Sequence, residues 1–161
     1  MVIVLMGVAG SGKTTVGRDL AADLGWEFAD ADGFHPEANV AKMSRGQPLD
    51  DTDRAPWLAA IRAHLDALVA AGRSAIIACS ALRQRYRDTL INRATDVRLV
   101  YLKGTRELLW ARISARQGHF MKPVMLDSQL AQLEEPTDAL VVDIALPPDQ
   151  IRAAIRRGLA L

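Results

Sequence analysis

Short apolar segments alternate along the chain with longer stretches in which apolar residues recur at helical spacing. The apolar segments predict β-strands at residues 2–6, 26–30, 74–79, 97–102 and 139–143. The intervening stretches predict a short helix after Pro36 and longer helices at residues 14–24, 55–71, 105–115, 127–133 and 150–159. Because strands and helices alternate, we expect a parallel sheet with helices on both faces and right-handed crossovers.

The first predicted strand leads into a glycine-rich turn, Gly7-Val-Ala-Gly-Ser-Gly-Lys13-Thr14, and a helix follows directly. This turn matches the phosphate-binding P-loop pattern G-x-x-x-x-G-K-[ST] in full. We expect Lys13 to reach the outer phosphates of a nucleotide and the Thr14 hydroxyl to bind Mg²⁺. A chance glycine-rich turn is the alternative, which the flanking strand and helix disfavour. The predicted nucleotide-binding residues are Gly7, Ala9, Gly10, Ser11, Gly12, Lys13, Thr14 and Thr15.

The second predicted strand ends in two carboxylates, Asp30 and Asp32, which one residue separates. Side chains alternate along a strand with period two, so the pair is predicted to point the same way. Ligands of open α/β sheets bind beyond the carboxyl ends of the strands. We therefore expect both carboxylates to face the P-loop crevice. The alternative is a solvated turn.

Composition narrows the class of protein. A chain of 161 residues, half of them apolar, is typical of one globular domain. Twenty basic and nineteen acidic residues give no support for general binding to nucleic acid, and no apolar run is long enough to span a bilayer. The single cysteine, Cys79, excludes an internal disulfide and is predicted to be a small buried hydrophobe rather than a nucleophile. Because the first strand begins at Val2, we expect no signal or transit peptide and a cytoplasmic location.

Two later segments leave alternatives open. Arg112 and Arg116 lie four residues apart on one predicted helix, and residues 117–123 interrupt the helical pattern before the next helix. This arrangement suggests a lid at about residues 112–135 that covers the P-loop site, and a solvated basic stripe is the alternative. The apolar face at residues 57–69 is predicted to be either core or a dimer contact, and Asp53 is a candidate helix cap.

Taken together, the motifs resemble the bacterial and eukaryotic gluconokinases of the P-loop kinase type. The P-loop alone indicates only binding of a nucleoside triphosphate, whereas the later segments are far more specific. Arg83 departs from the family pattern, because a Lys often follows Cys-Ser-Ala-Leu, and Lys122-Pro123 makes the lid tip unusual. The resembling segments run from Met6 to Pro136 and are Met6-Gly-Val-Ala-Gly-Ser-Gly-Lys-Thr14, Asp30-Ala-Asp-Gly-Phe-His-Pro36, Lys42-Met43, Pro48-Leu-Asp-Asp-Thr-Asp-Arg54, Pro56-Trp57, Cys79-Ser-Ala-Leu82, Tyr86-Arg-Asp88, Gly118-His-Phe120 and Glu134-Glu135-Pro136.

The resemblance implies a three-layer α/β/α P-loop fold, with a five-stranded parallel sheet and a small helical lid. It implies that ATP and Mg²⁺ are used to phosphorylate the 6-hydroxyl of D-gluconate, and that the protein forms a homodimer. In this scheme Thr14 and Asp30 hold the metal, Asp32 accepts the hydroxyl proton, and Arg112 stacks on adenine. The implied catalytic residues are Lys13, Asp32 and Arg116, and the implied substrate-binding residues are Asp32, His35, Lys42, Arg54, Arg83, Arg87 and His119.

Two rival functions remain at this stage. Shikimate kinase or another small-molecule P-loop kinase would also use an Asp-x-Asp pair. Its third strand usually ends in a glycine-rich turn, whereas here Cys79-Ser80 follows. A GTPase-like switch or non-catalytic nucleotide-binding module would need a guanine-reading Asn-Lys-x-Asp segment, which the sequence lacks.

Overall fold

A parallel β-sheet forms the centre of the molecule. The computed structural model describes residues 1–91, 96–115 and 123–161. Within these ranges five strands, all paired in parallel, lie in the order β2-β3-β1-β4-β5. Their bounds are β1 Val2–Met6, β2 Glu27–Asp30, β3 Ala75–Ala78, β4 Val97–Lys103 and β5 Leu140–Asp143. The predicted parallel sheet is confirmed, and its strand order brings the carboxyl ends of β1 and β3 together at one edge.

Helices cover the sheet on both faces, as the alternating pattern predicts. None of those in the described part of the chain is long and apolar enough to cross a membrane. Across the same ranges the helices are α1 Lys13–Leu24, α2 Glu37–Ser44, α3 Asp51–Ala70, α4 Gln84–Ile91, α5 Arg106–Ser114, α6 Pro123–Gln132 and α7 Pro148–Leu159.

The alternating side chains of β1 divide the core into two layers. Val2, Val4 and Met6 pack on one face with α3, while Ile3 and Leu5 pack on the other face with α1, α5 and α7. All five residues are buried, because β1 lies in the middle of a sheet that helices cover on both sides. The apolar face of α3 belongs to the first layer, so it is core and not the dimer contact that the sequence left open.

The end of β2 differs from its prediction. The strand ends at Asp30, and Ala31–Phe34 forms a 3₁₀-helix. The Asp30 side chain caps this helix by accepting a hydrogen bond from the Asp32 backbone N–H. The expectation that Asp30 and Asp32 share one strand face is therefore wrong in its geometry. Asp residues compete for nearby backbone N–H groups, and here that local hydrogen bond ends the strand.

α3 begins at Asp51, four residues before its predicted start. Asp50 and Asp53 form a reciprocal capping box, in which each side chain accepts the other residue's backbone N–H. Asp53 therefore helps to cap the helix, as its sequence position suggested. Pro56 lies inside α3, where it has no backbone N–H to donate to the residue four positions before it.

Candidate active site

The P-loop lies directly on α5, and this contact demands glycine. A Cβ atom on Gly10 would lie 2.8 Å from Ile113 Cγ1 and 2.9 Å from the Leu109 carbonyl oxygen. Gly12, at the N-terminus of α1, has a φ of 90°, which other residues rarely adopt. The loop backbone is thus held close to its supporting helix, with the N-terminus of α1 directed at the place where phosphate binds in this motif.

Lys13 folds back over its own loop. Its Nζ donates hydrogen bonds to the carbonyl oxygens of Gly7, at 2.9 Å, and Val8, at 3.1 Å. The ammonium charge is therefore held over the loop that precedes it, where it can meet the outer phosphates of a nucleotide. Thr15, in the same helical turn, has an exposed side chain.

A short chain of hydrogen bonds runs from the P-loop to Asp32. The Thr14 hydroxyl donates to Asp30 Oδ2 at 2.9 Å, and the Asp32 backbone N–H donates to Asp30 Oδ1 at 3.1 Å. One hydroxyl and one carboxylate suit Mg²⁺, which binds few protein oxygens and keeps water and phosphate ligands. Among the described residues no group of three His, Cys, Asp or Glu side chains could form a complete metal site.

Beyond Asp32 opens a cleft of about 580 Å³, a volume typical of small-molecule sites. Asp32, His35 and Arg54 line one wall, together with the rings of Trp57 and Tyr86. α6 also lines the cleft, through Met125, Ser128, Gln129 and Gln132. The cleft thus combines charged groups that can pair with an anion and aromatic rings that offer apolar contact area.

His35 is held on two sides. Its ring stacks on Trp57, with a centroid separation of 4.6 Å and an interplanar angle of 9°, and its Nδ1 lies 3.3 Å from Asn39 Nδ2. Burial lowers the pKa of His35, and the positive charge of Arg54 adds to this, whereas Asp32 opposes it. The imidazole is therefore biased towards its neutral form.

Arg54 projects from α3 towards the cleft beside an anchored tyrosine. Its guanidinium lies 5.5 Å from the centre of the Tyr86 ring. The Tyr86 hydroxyl donates to Asp51 Oδ1 at 2.7 Å, and Arg85 pairs with the same carboxylate. The hydrogen bond from Tyr86 lowers the pKa of Asp51, with help from the nearby arginines, so this carboxyl is ionised at neutral pH. The network joins α3 to α4 and orients the ring on which Arg54 rests.

Two predicted substrate-binding residues bind other parts of the protein. The Lys42 Nζ pairs with Asp53 Oδ2 at 2.5 Å, and the same hydrogen bond raises the pKa of Lys42 and lowers that of Asp53. Arg87 is only 2% exposed and donates to the carbonyl oxygens of Ala81, Leu82 and Glu134. Neither side chain lines the cleft, because protein acceptors already engage its charged group.

The remaining predicted residues are placed as follows. Arg112 donates to the Ile144 carbonyl oxygen at 2.6 Å and lies beside Gly12 of the P-loop. Arg83 lies close enough to Asp51 to help lower the pKa of that carboxyl, and it does not line the cleft. Arg116 and His119 lie outside the described residues, as does most of the segment that was predicted to link the lid helices.

Gln129 is a site residue that sequence reasoning missed. Its side-chain oxygen accepts the Ala9 backbone N–H at 2.7 Å, so α6 contacts the P-loop directly. The side chain also lines the cleft. An amide residue in the middle of an amphipathic helix carries no signal in the sequence, and only the packing of α6 across the sheet edge brings it to the loop.

Comparison with known proteins identifies relatives of this chain. A family model described as an AAA domain matches residues 2–136. The chain is 48% identical over 136 residues to a gluconokinase of Gluconobacter oxydans (strain 621H), covering 84% of this chain and 76% of that protein. It is 42% identical over 157 residues to the thermoresistant gluconokinase of Escherichia coli (strain K12), covering 95% and 90%.

Solved structures give the same relationship. A gluconokinase from Sinorhizobium meliloti 1021 superposes with a TM-score of 0.87 and 42% identity, covering 98% of this chain and 90% of that one. A shikimate kinase from Bacteroides thetaiotaomicron, with a TM-score of 0.69 and 19% identity over all of this chain and 99% of its own, shares only the fold. Because the similarity extends over both the P-loop and the cleft, the chain belongs to the gluconokinase family of P-loop kinases.

Proposed function

We propose that this protein transfers the γ-phosphoryl group of ATP to the 6-hydroxyl of D-gluconate, forming 6-phospho-D-gluconate and ADP. The observation that carries the proposal is the hydrogen-bonded chain from Thr14 through Asp30 to Asp32, which joins the P-loop to the cleft. Phosphoryl transfer needs a nucleotide and an acceptor side by side, and this chain connects a site for each.

In the nucleotide half, the backbone N–H groups of the P-loop and the Lys13 ammonium would hold the triphosphate. Thr14 would bind Mg²⁺ directly and Asp30 through water. When bound, Mg²⁺ neutralises charge on the phosphate oxygens. Arg112, beside Gly12, is the proposed stacking partner of adenine, and Arg116 is the proposed contact to the transferring phosphoryl group.

In the acceptor half, Asp32 would orient the 6-hydroxyl and accept its proton as the oxygen attacks phosphorus. The new bond joins that oxygen to the γ-phosphorus, and the bond to the β-phosphate oxygen breaks. Arg54 would pair with the carboxylate of gluconate, and His35 would bind one of its oxygens. Arg83 and His119 stay predicted substrate contacts, whereas we assign Lys42 and Arg87 to holding the walls of the cleft.

The cellular setting of this reaction also belongs to the proposal. A cytoplasmic location fits a kinase whose one cysteine forms no internal disulfide. A homodimer stays a prediction, which light scattering on the purified protein at several concentrations will test.

A panel of acceptors tests the activity. ADP release is measured with Mg²⁺-ATP and, in separate reactions, gluconate, shikimate, glycerate or no acid, with Lys13→Ala protein as the control for contaminating kinases. We expect release that depends on gluconate, with 6-phosphogluconate as the product. Release that no sugar acid changes would indicate a nucleotide-hydrolysing module, and a preference for shikimate would indicate the rival kinase.

A further inference from the structure

Asn39 is a buried polar residue that no part of the proposed reaction uses. It projects from α2 between the cleft wall and the start of α3, and only 4% of it is exposed. Its side-chain nitrogen lies 2.7 Å from the Asp53 carbonyl oxygen and 3.3 Å from Nδ1 of His35. Both contacts come from the one Nδ2 atom, whose two hydrogens suffice for two acceptors.

The orientation of this amide follows from its partners. A backbone carbonyl oxygen can only accept, so the Asn39 atom that faces Asp53 at 2.7 Å must be the nitrogen. A flipped amide would place two oxygen atoms against each other in a buried site, at a large cost in free energy. The Asp53 carbonyl therefore determines which atom Asn39 presents to His35.

The orientation of Asn39 in turn determines the proton on His35. Because Asn39 donates to Nδ1, that ring nitrogen must carry a lone pair, and in the neutral imidazole the proton lies on Nε2. Stacking on Trp57 holds the plane of the imidazole ring. The Trp57 ring is itself held by a hydrogen bond of 2.7 Å from its Nε1 to the Ala31 carbonyl oxygen.

Charged groups near the ring agree with a neutral imidazole. Burial and the positive charge of Arg54 lower the pKa of His35, and the negative charge of Asp32 raises it. A protonated ring would also direct a second N–H at the Asn39 amide, where two donors repel each other. The neutral ring with its proton on Nε2 is the form that satisfies both neighbours.

We propose that Asn39 is a positioning residue that fixes the Nε2–H tautomer of His35, so that His35 donates a hydrogen bond to an oxygen of the sugar acid. This inference rests on the proposed function for the identity of the acceptor. It also separates two roles that cleft residues could otherwise share, because an Nε2 that already carries a proton cannot accept one from the 6-hydroxyl. Asp32 is then the general base, and His35 contributes to substrate recognition by donating a hydrogen bond.

Nitrogen NMR tests the tautomer without any activity measurement. Long-range ¹H–¹⁵N correlation spectra of the wild-type protein at pH 8 are recorded, and the His35 signals are assigned by their loss in His35→Gln. We expect a protonated Nε2 and an unprotonated Nδ1. A protonated Nδ1, or a charged ring, in the folded wild-type protein would overturn the proposal whether or not the protein phosphorylates gluconate.

Two variants extend the test to binding. Asn39→Leu keeps the volume but removes the donor, so we expect a mixture of tautomers and a KM for gluconate raised about fivefold, with the KM for ATP unchanged. The control is Ser44→Ala, which removes an exposed α2 hydroxyl that bonds only within its own helix. It should change neither property. A folded Asn39→Leu protein with the wild-type tautomer and the wild-type KM for gluconate would contradict the proposal. If the wild-type protein does not phosphorylate gluconate, the proposed function is contradicted instead.

Discussion

The nucleotide half and the acceptor half of the proposed site are built in opposite ways. The phosphate-binding part of the nucleotide half comes from one unbroken stretch, Gly7 to Thr14, and its proposed ligands are mostly backbone N–H groups. The acceptor half comes from side chains of the 3₁₀ turn and of α2, α3, α4 and α6. A site made from the backbone of consecutive residues can be predicted from the sequence, whereas a site assembled from several elements depends on how those elements pack.

The halves also differ in what supports their functional groups. In the nucleotide half, glycine conformation and the N-terminus of α1 suffice to position the donors. In the acceptor half, the two proposed substrate contacts rest on other side chains: Arg54 on Tyr86, and His35 on Trp57 and Asn39. Substitutions in the first half should therefore change turnover with little effect on folding, and those in the second half should couple binding to packing.

The largest effect is expected at Lys13. Lys13→Ala should lower kcat by about 10³-fold or more, because it removes the charge that stabilises the transferring phosphoryl group. Steady-state kinetics measure the loss, and circular dichroism verifies the fold. Lys103→Ala is the matched control, since that lysine pairs with Glu135 in an exposed ion pair. Near-normal turnover in folded Lys13→Ala protein would contradict the assignment of the P-loop as the phosphate-binding site.

Asp32 tests the boundary between the halves. Asp32→Asn keeps the size of the side chain and removes the base, so kcat should fall about 10²-fold while nucleotide affinity changes little. Asp30→Asn should instead raise the Mg²⁺ concentration needed for half-maximal activity. The control is Asp66→Asn, on the exposed side of α3. Full activity in Asp32→Asn protein would mean that the acceptor hydroxyl lies elsewhere.

Arg54 and Arg87 separate binding from packing inside the acceptor half. Arg54→Lys should raise the KM for gluconate about tenfold through the loss of bidentate pairing, with little change in stability. Arg87→Lys should lower the free energy of unfolding by about 2 kcal/mol, because buried carbonyl oxygens lose their donors. Urea unfolding and gluconate titration measure both properties in both variants. The reverse pattern would place Arg87, and not Arg54, at the substrate.

The smallest effect concerns Cys79, which is buried beside the cleft. Burial raises the pKa of its thiol from the ordinary 9.0 to about 12, so the group stays neutral and unreactive at pH 8. A thiol reagent should modify the native protein very slowly and the protein in urea at once. The raised pKa also means that this group's contribution to stability is complete below pH 9 and is lost as the pH rises towards 12. Rapid labelling of the native protein would place the thiol in the open cleft.

The sheet and the P-loop turn of this protein could be predicted from its sequence. Apolar segments of strand length between amphipathic stretches predicted the parallel sheet, and the P-loop motif predicted the turn from β1 to α1. Such features depend on interactions between residues that are close along the chain, so local patterns determine them. The end of β2 and the start of α3 differ from prediction because a side chain caps the backbone there, as Asp30 and Asp50 do. α6 also begins four residues before its predicted start, and α4 was not among the predicted helices.

Tertiary structure alone decided which charged and polar side chains face the cleft. The family resemblance implied that Lys42, Arg54 and Arg87 bind the substrate, yet of these three only Arg54 lines the cleft. Lys42 pairs with Asp53, and Arg87 donates to three backbone carbonyl oxygens. Gln129 reached the P-loop without any signal in the sequence. A buried charged group needs a partner that offsets the free-energy cost of its desolvation. Most of these partners lie on elements that only folding brings together.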